Sequence, residues 1–251
     1  MTLRSLNRWT AFGAHLALSA LIAATVFGLV MWLWYPGPYF SAMGGDTLLR
    51  LLIGVDVTVG PFITLIIFDA DKPRLRQDLA IVGVLQLAAL AYGTYVMFDA
   101  RPVYNVFIKD RFETVAANSV DPQSLDKAAA EFQSLPLGGP RVVAAHPPKG
   151  NEAAMIAIGA MMGGPDVANM PHLYEPYAQA AGNVAKASRP LVSLSQKGRE
   201  SAQAITDFLT ANDDGRRSLG YLPARARNRD FAVVVDRKSG DIVGYVAVNP
   251  W

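Results

Sequence analysis

Three apolar runs, residues 11–34, 48–68 and 79–98, constrain what this chain can fold into more than any other feature it has. Each is long enough to cross a hydrocarbon core of about 30 Å at roughly 1.5 Å per helical residue. The charge distribution follows the same division. Residues 1–98 hold six Lys/Arg and five Asp/Glu, whereas residues 99–251 hold seventeen and sixteen. The chain is 18% charged, below the roughly 25% of soluble domains, and the shortfall sits in the first part. We therefore expect a membrane domain over 1–98 and a water-facing domain over 99–251. Both parts are close to neutral, which gives no argument for nucleic acid as a partner. The lack of cysteine excludes a disulfide framework, a thiolate zinc site and a thiol nucleophile.

The first run follows Arg4 and Arg8 in the manner of a secretion signal. A signal core spans only about 7–15 residues, however. This run is longer and ends in Trp32, Trp34 and Tyr35, an aromatic cluster suited to the membrane–water interface, so it reads as a retained span. Cations then set the orientation. Arg4 and Arg8 precede the first span, Lys72, Arg74 and Arg76 fill the second connection, and residues 36–45 have none. The positive-inside rule puts the N-terminus in the cytoplasm and residues 36–45 on the far side, with everything after Phe98. In a bacterial inner membrane that side is the periplasm.

Polar groups inside the spans are the most informative, because they cost the most to place there. Asp56 stands near the middle of the second run, in Gly54-Val55-Asp56-Val57-Thr58-Val59-Gly60-Pro61. A bare carboxylate at that depth needs a proton, water or a partner. Arg50 lies nearer the far end and has the reach to snorkel outward, while His15 and Gln86 offer partners from the other spans. Gly54, Gly60 and Pro61 leave a groove and a weak point in the helix. Two readings follow: an internal clasp joining three helices, or a groove that receives a polar group from another transmembrane helix. An ion pathway has little support from a single acidic centre.

Residues 99–251 are enough for one core. Val103–Ile108 and Arg111–Val115 flank Lys109-Asp110 as a hairpin directly at the membrane exit, with no long linker, which keeps this domain close to the bilayer. Asp121-Pro122 opens a helix running to Gln133. Residues 141–145 read as a strand and 152–162 as a helix ending at Gly163-Gly164-Pro165. Further helices are expected over 175–186 and 197–212. Residues 231–235 and 242–248 flank a turn carrying Ser239-Gly240, a second hairpin. Strands at both ends with helices between predict an α+β domain with a mainly antiparallel sheet, following three transmembrane helices.

Motifs for chemistry are sparse. His15, His146 and His172 are the histidines, without a paired-histidine helix or a carboxylate cluster for a metal. His172 and Glu175, three apart, read as loop polarity rather than half a site. No serine stands in Gly-x-Ser-x-Gly, and the glycine pairs do not form a phosphate loop. We expect no catalytic residue, no metal, no cofactor and no enzymatic activity. Arg216, Arg217, Arg225, Arg227 and Arg229 form the densest positive stretch, interleaved with Asp213, Asp214 and Asp230. It is either a solvated loop with local ion pairs or a surface for an acidic partner or anionic headgroups.

Several segments together resemble the type IV pilin accessory proteins of the TfpX/TfpZ kind. They are Arg50 through Pro61, Lys72 with Arg76-Gln77-Asp78-Leu79, Leu85 through Gly93, Arg101-Pro102-Val103-Tyr104, and Asp241-Ile242-Val243 with the closing Pro250-Trp251. The resemblance covers nearly the whole chain, more loosely over 150–211. It implies an inner-membrane, non-enzymatic accessory that binds its cognate major type IV pilin and promotes or modulates pilus assembly, chaperone-like, beside other inner-membrane components. Type IV pilins carry a buried glutamate and a charged amino terminus at the start of a membrane helix. Asp56 would meet the ammonium, or Arg50 the carboxylate, with Gly54 and Gly60 admitting the helix closely. The competing reading is a membrane-anchored periplasmic ligand sensor acting through a partner protein.

Overall fold

The computed structural model describes residues 7–212 and 215–251. In chain order it contains α1 (Arg8–Trp34), α2 (Tyr39–Ala42), α3 (Gly45–Ile67) and α4 (Leu75–Asp99). Then come β1 (Pro102–Ile108), β2 (Arg111–Ala116), α5 (Pro122–Asp126), β3 (Arg141–Ala145), α6 (Asn151–Met161), β4 (Tyr174–Pro176), α7 (Tyr177–Ala187) and β5 (Arg189–Pro190). The chain closes with α8 (Leu191–Ser195), α9 (Arg199–Asn212), β6 (Leu219–Arg225), β7 (Phe231–Asp236) and β8 (Ile242–Val246). It divides into two compact units, one of Met1–Leu33 with Gly45–Asp99, the other of Trp34–Gly44 with Ala100–Trp251.

In the first unit, α1, α3 and α4 are each long and apolar enough to cross a membrane. Asn7 caps α1: its side chain accepts from the Thr10 amide at 2.9 Å and the Thr10 hydroxyl stands 3.0 Å from the Asn7 amide, a reciprocal box. Phe12 of α1 meets Phe62 of α3 edge-on, ring centroids 5.6 Å apart. Leu87, Ile66 and Tyr92 stand exposed, as expected of side chains that face hydrocarbon.

The second unit is built on a mixed, mostly antiparallel eight-stranded sheet in the order β4-β3-β1-β2-β6-β7-β8, with β5 added beside β6. Hairpins β1/β2 and β7/β8 form as the sequence predicts. The parallel pairs, β1 with β3 and β2 with β6, join three antiparallel groups, β4-β3, β1-β2 and β6-β7-β8. β7 is continuously apolar because both its faces are covered. Phe231, Val233 and Val235 enter a core with Phe107, Phe112 and Val184; Ala232 and Val234 enter another with Leu191, Leu194 and Ile205. A third cluster gathers Val103, Val106, Val115, Val143 and Tyr174 of β1–β4 with Phe132 from the segment between α5 and β3.

Four expectations change. The helix begun by Asp121, whose side chain accepts from the Gln123 amide, ends at Asp126 rather than Gln133. Phe132 is instead drawn into the core, 5.8 Å from the Tyr174 ring and 4.8 Å beneath the Arg141 guanidinium. Residues 174–176 pair with β3 before α7 starts at Tyr177. β6, which carries Gly220 and Pro223, is a central strand although such residues usually mark edges. It fits because β5 pairs with it at Gly220 and Tyr221 and β2 at Ala224 and Arg225, leaving Pro223 between the two stretches.

The connection after α1 also folds into this unit. Tyr39 and Ala42 are buried in the β7 core, the Tyr39 ring 5.3 Å from Phe231 and 5.5 Å from Tyr245. The amides of Asn228 and Arg229 donate to the Ala42 carbonyl at 2.8 and 3.2 Å. Gly139 allows Pro36 to approach, since a Cβ there would fall 2.5 Å from the Pro36 Cγ.

Candidate functional site

The sequence places the candidate site in α3, where β-branched Val55, Val57, Thr58 and Val59 precede Gly60-Pro61. Pro61 has no N–H to give, and the α-helical ladder is interrupted there. The helix widens into a π turn over Val55–Val59 and resumes at Gly60. Such turns displace a side chain from its helical row and recur at functional sites. Here the displaced group is Asp56. It is 7% exposed, and neither carboxyl oxygen has a hydrogen-bond partner.

The neighbouring spans make polar contacts around that carboxyl rather than with it. Gln86 of α4 donates from Nε2 to the backbone carbonyl of Asp56 at 3.2 Å, leaving its own Oε1 unpartnered. Gly60 is what admits Gln86, because a Cβ at residue 60 would overlap the carboxamide. His15 Nδ1 of α1 stands 2.6 Å from Thr64 Oγ1, one turn beyond Gly60. Two polar links therefore join the three helices, and both leave the acid free. Its side chain borders a groove of about 150 Å³ with His15, Ser19, Gly83 and Gln86, and another of about 290 Å³ with Leu52, Ala89, Tyr92 and Gly93. Leu52 packs against Gly93, where a Cβ would collide with it.

The remaining intramembrane candidates are placed as follows. Pro61 is buried, and nothing lies within 4 Å of where a Gly54 Cβ would be, so Gly54 leaves open surface. Arg50 stands apart, its side chain 76% exposed and paired with Asp46 at 3.4 Å within the same helix. It also donates to the Asp46 carbonyl at 3.1 Å, so it is not the counter-ion of Asp56 here. Thr64 and the π turn are the parts of the site that the sequence reading missed; the threonine one turn from Gly60 carried the only signal.

The arginines of the second unit do not form one patch. Arg225 lies 3.7 Å from Glu113 and 5.8 Å from the Trp251 ring, which Arg111 also approaches, at 5.9 Å. The Trp251 indole donates to Asp230 at 2.6 Å. Burial raises the Glu113 carboxyl above its usual range, opposed by Arg225 and Arg111. Arg225 and Arg227 line a cleft of about 420 Å³ with Glu113, Asn118 and Ser119. Arg229 lines a different one of about 550 Å³ with Asp230. Arg216 and Arg217 follow Asp213 and Asp214, which, like Arg4, lie outside the described residues. His172 and Glu175 separate: His172 Nδ1 stands 2.5 Å from Ser124 Oγ, and Glu175 pairs with His146 at 2.5 Å.

The comparisons with known proteins converge on one theme. The family described as Fimbrial assembly protein FimB matches residues 4–44. Over 232 residues, 90% of this chain and 89% of the relative, the chain is 31% identical to the "Fimbrial assembly protein, serogroup I" of Dichelobacter nodosus. It is 30% identical over 230 residues to the serogroup E1 protein of that organism, covering 90% of this chain and 89% of the relative. The protein of serogroups C1 and C2 is 36% identical over 119 residues, 46% of this chain and 90% of the relative. No solved structure matches the chain significantly.

Proposed function

Because the chain belongs to the fimbrial assembly protein family, a type IV pilus assembly-related group, we propose that it is a non-enzymatic inner-membrane accessory of its cognate major pilin. In this reading it binds the membrane helix of the pilin and promotes or modulates pilus assembly, with its N-terminus cytoplasmic and its sheet domain periplasmic. The observation that carries the reading is Asp56, a buried carboxyl without a hydrogen-bond partner that borders two grooves in a membrane unit. Such a group is costly in lipid, and the cost falls when a donor or cation from another helix reaches it. The charged amino terminus of a pilin helix supplies that chemistry. Orientation rests on Lys72, Arg74 and Arg76 in the second connection.

The test is co-purification of pilin with tagged accessory from native membranes. Asp56→Asn keeps the volume and removes the charge; pilin recovery and surface piliation should both fall while the accessory stays folded and abundant. Arg50→Gln tests the weaker carboxylate contact. Full pilin recovery with both variants would leave Asp56 as an internal structural group and sink the proposal.

A further inference from the structure

We propose that α6 is a fourth membrane-contacting element, a short helix of the sheet domain that dips into the lipid leaflet beside it. The inference needs only that the protein is embedded in a bilayer and does not rest on pilin binding. No residue of α6 is buried. Met155 and Met161 are 71% and 88% exposed, and Ile158 and Met162 are exposed with them. The opposite side carries Ala153, Ile156 and Ala160, which are only half-buried. No charged residue occurs between Glu152 and Asp166. A helix that docks in a protein groove needs one apolar stripe, whereas a helix apolar on every side needs apolar surroundings throughout.

Three observations favour lipid as those surroundings. The domain carrying α6 meets the membrane helices at three points of the chain, after Leu33, before Gly45 and after Asp99, and β1 starts at Pro102, directly after α4. Three short covalent connections tether such a domain to the membrane helices. The 11 residues of α6 extend about 16 Å, half of a hydrocarbon core of about 30 Å, which suits entry into one leaflet without crossing. Charges flank the apolar stretch, Lys149 and the first-turn Glu152 at its start and Asp166 after it, so these charged flanks remain at the headgroups while Met155 to Met162 lie deeper. Gly150 and Gly163 have φ of 68° and 87°, left-handed conformations that let the chain turn sharply into and out of the helix.

The chain has no cysteine, so single probes report single sites. Full-length protein carrying Met155→Cys or Met161→Cys, each labelled with an environment-sensitive fluorophore, would be placed in phosphatidylcholine nanodiscs with or without doxyl-labelled acyl chains. Lys238→Cys, in the exposed turn between β7 and β8, serves as the aqueous reference. The expected result is blue-shifted emission at 155 and 161 that is quenched by doxyl lipid, with neither effect at 238. Water-like emission at both positions overturns the proposal. So does blue-shifted emission that doxyl lipid does not quench, which would place a second copy or another protein over α6.

Discussion

Gly60→Ala tests the intramembrane geometry directly, because the added methyl would have to occupy space held by the Gln86 carboxamide, with the Oε1 only 2.5 Å away. Either Gln86 moves, losing its 3.2 Å bond to the Asp56 carbonyl, or α3 and α4 separate. An interhelical hydrogen bond in a membrane contributes about 0.6 kcal/mol and at most about 1.7. Overpacking adds about 1–3 kcal/mol, and the better helix propensity of alanine returns up to about 1. We expect a net loss of about 1–3 kcal/mol. Gln86→Ala alone should cost only the hydrogen bond, and Gly60→Ala placed on that background should cost nothing further, since the collision partner is gone. The coupling in the double-mutant cycle is then about 1–3 kcal/mol. It would be read from reversible unfolding in mixed micelles, with Gly54→Ala as control because nothing lies within 4 Å of that site. Additive effects of the two substitutions, or a Gly54→Ala loss as large as that of Gly60→Ala, would refute the placement of Gln86 over Gly60.

Two further perturbations address the sheet domain. Tyr39→Ala removes a buried ring packed on Phe231 and Tyr245 and should destabilise the domain by about 3–5 kcal/mol. Hydrogen exchange would show faster amides in β7 and β8, while the Phe variant, which keeps the ring, protects them as the parent does. Glu113 gives a pH test. Its carboxyl is raised by burial, so the folded chain holds that proton more tightly than the unfolded chain. The stability it contributes is present at low pH and is lost as pH rises through the raised value. Glu113→Gln should therefore narrow the gain in melting temperature between neutral and mildly acidic pH; an unchanged gain would assign the pH dependence to other groups.

Much of the fold is legible in the sequence where one rule dominates. Span length and charge exclusion locate α1, α3 and α4, and the two hairpins follow from β-branched runs around short polar turns. Legibility fails where tertiary contacts override local preference. β6 reads as an arginine-rich loop with Gly220 and Pro223, and only the staggered pairing of β5 and β2 makes a central strand of it. The helix opened by Asp121 ends at Asp126, and Phe132 beyond it is buried with its ring 5.8 Å from Tyr174, a contact made by a residue distant in sequence. The cluster Trp32, Trp34 and Tyr35 reads as an interface anchor, and nothing local says that the connection after it will insert Tyr39 into a sheet formed far along the chain.

The candidate site divides along the same line. Asp56, His15 and Gln86 could be selected from sequence because polar groups in apolar runs must be explained, but their mutual geometry could not. The sequence offers His15 and Gln86 as partners of the Asp56 carboxyl. Instead His15 engages Thr64 and Gln86 engages the backbone of Asp56, so the links that hold the helices together do not consume the carboxyl. That separation has a consequence for mutagenesis. If the polar links alone fix the bundle, His15→Ala and Gln86→Ala weaken the protein while Asp56→Asn does not, and any loss of pilin recovery in Asp56→Asn then reports on recognition rather than on folding.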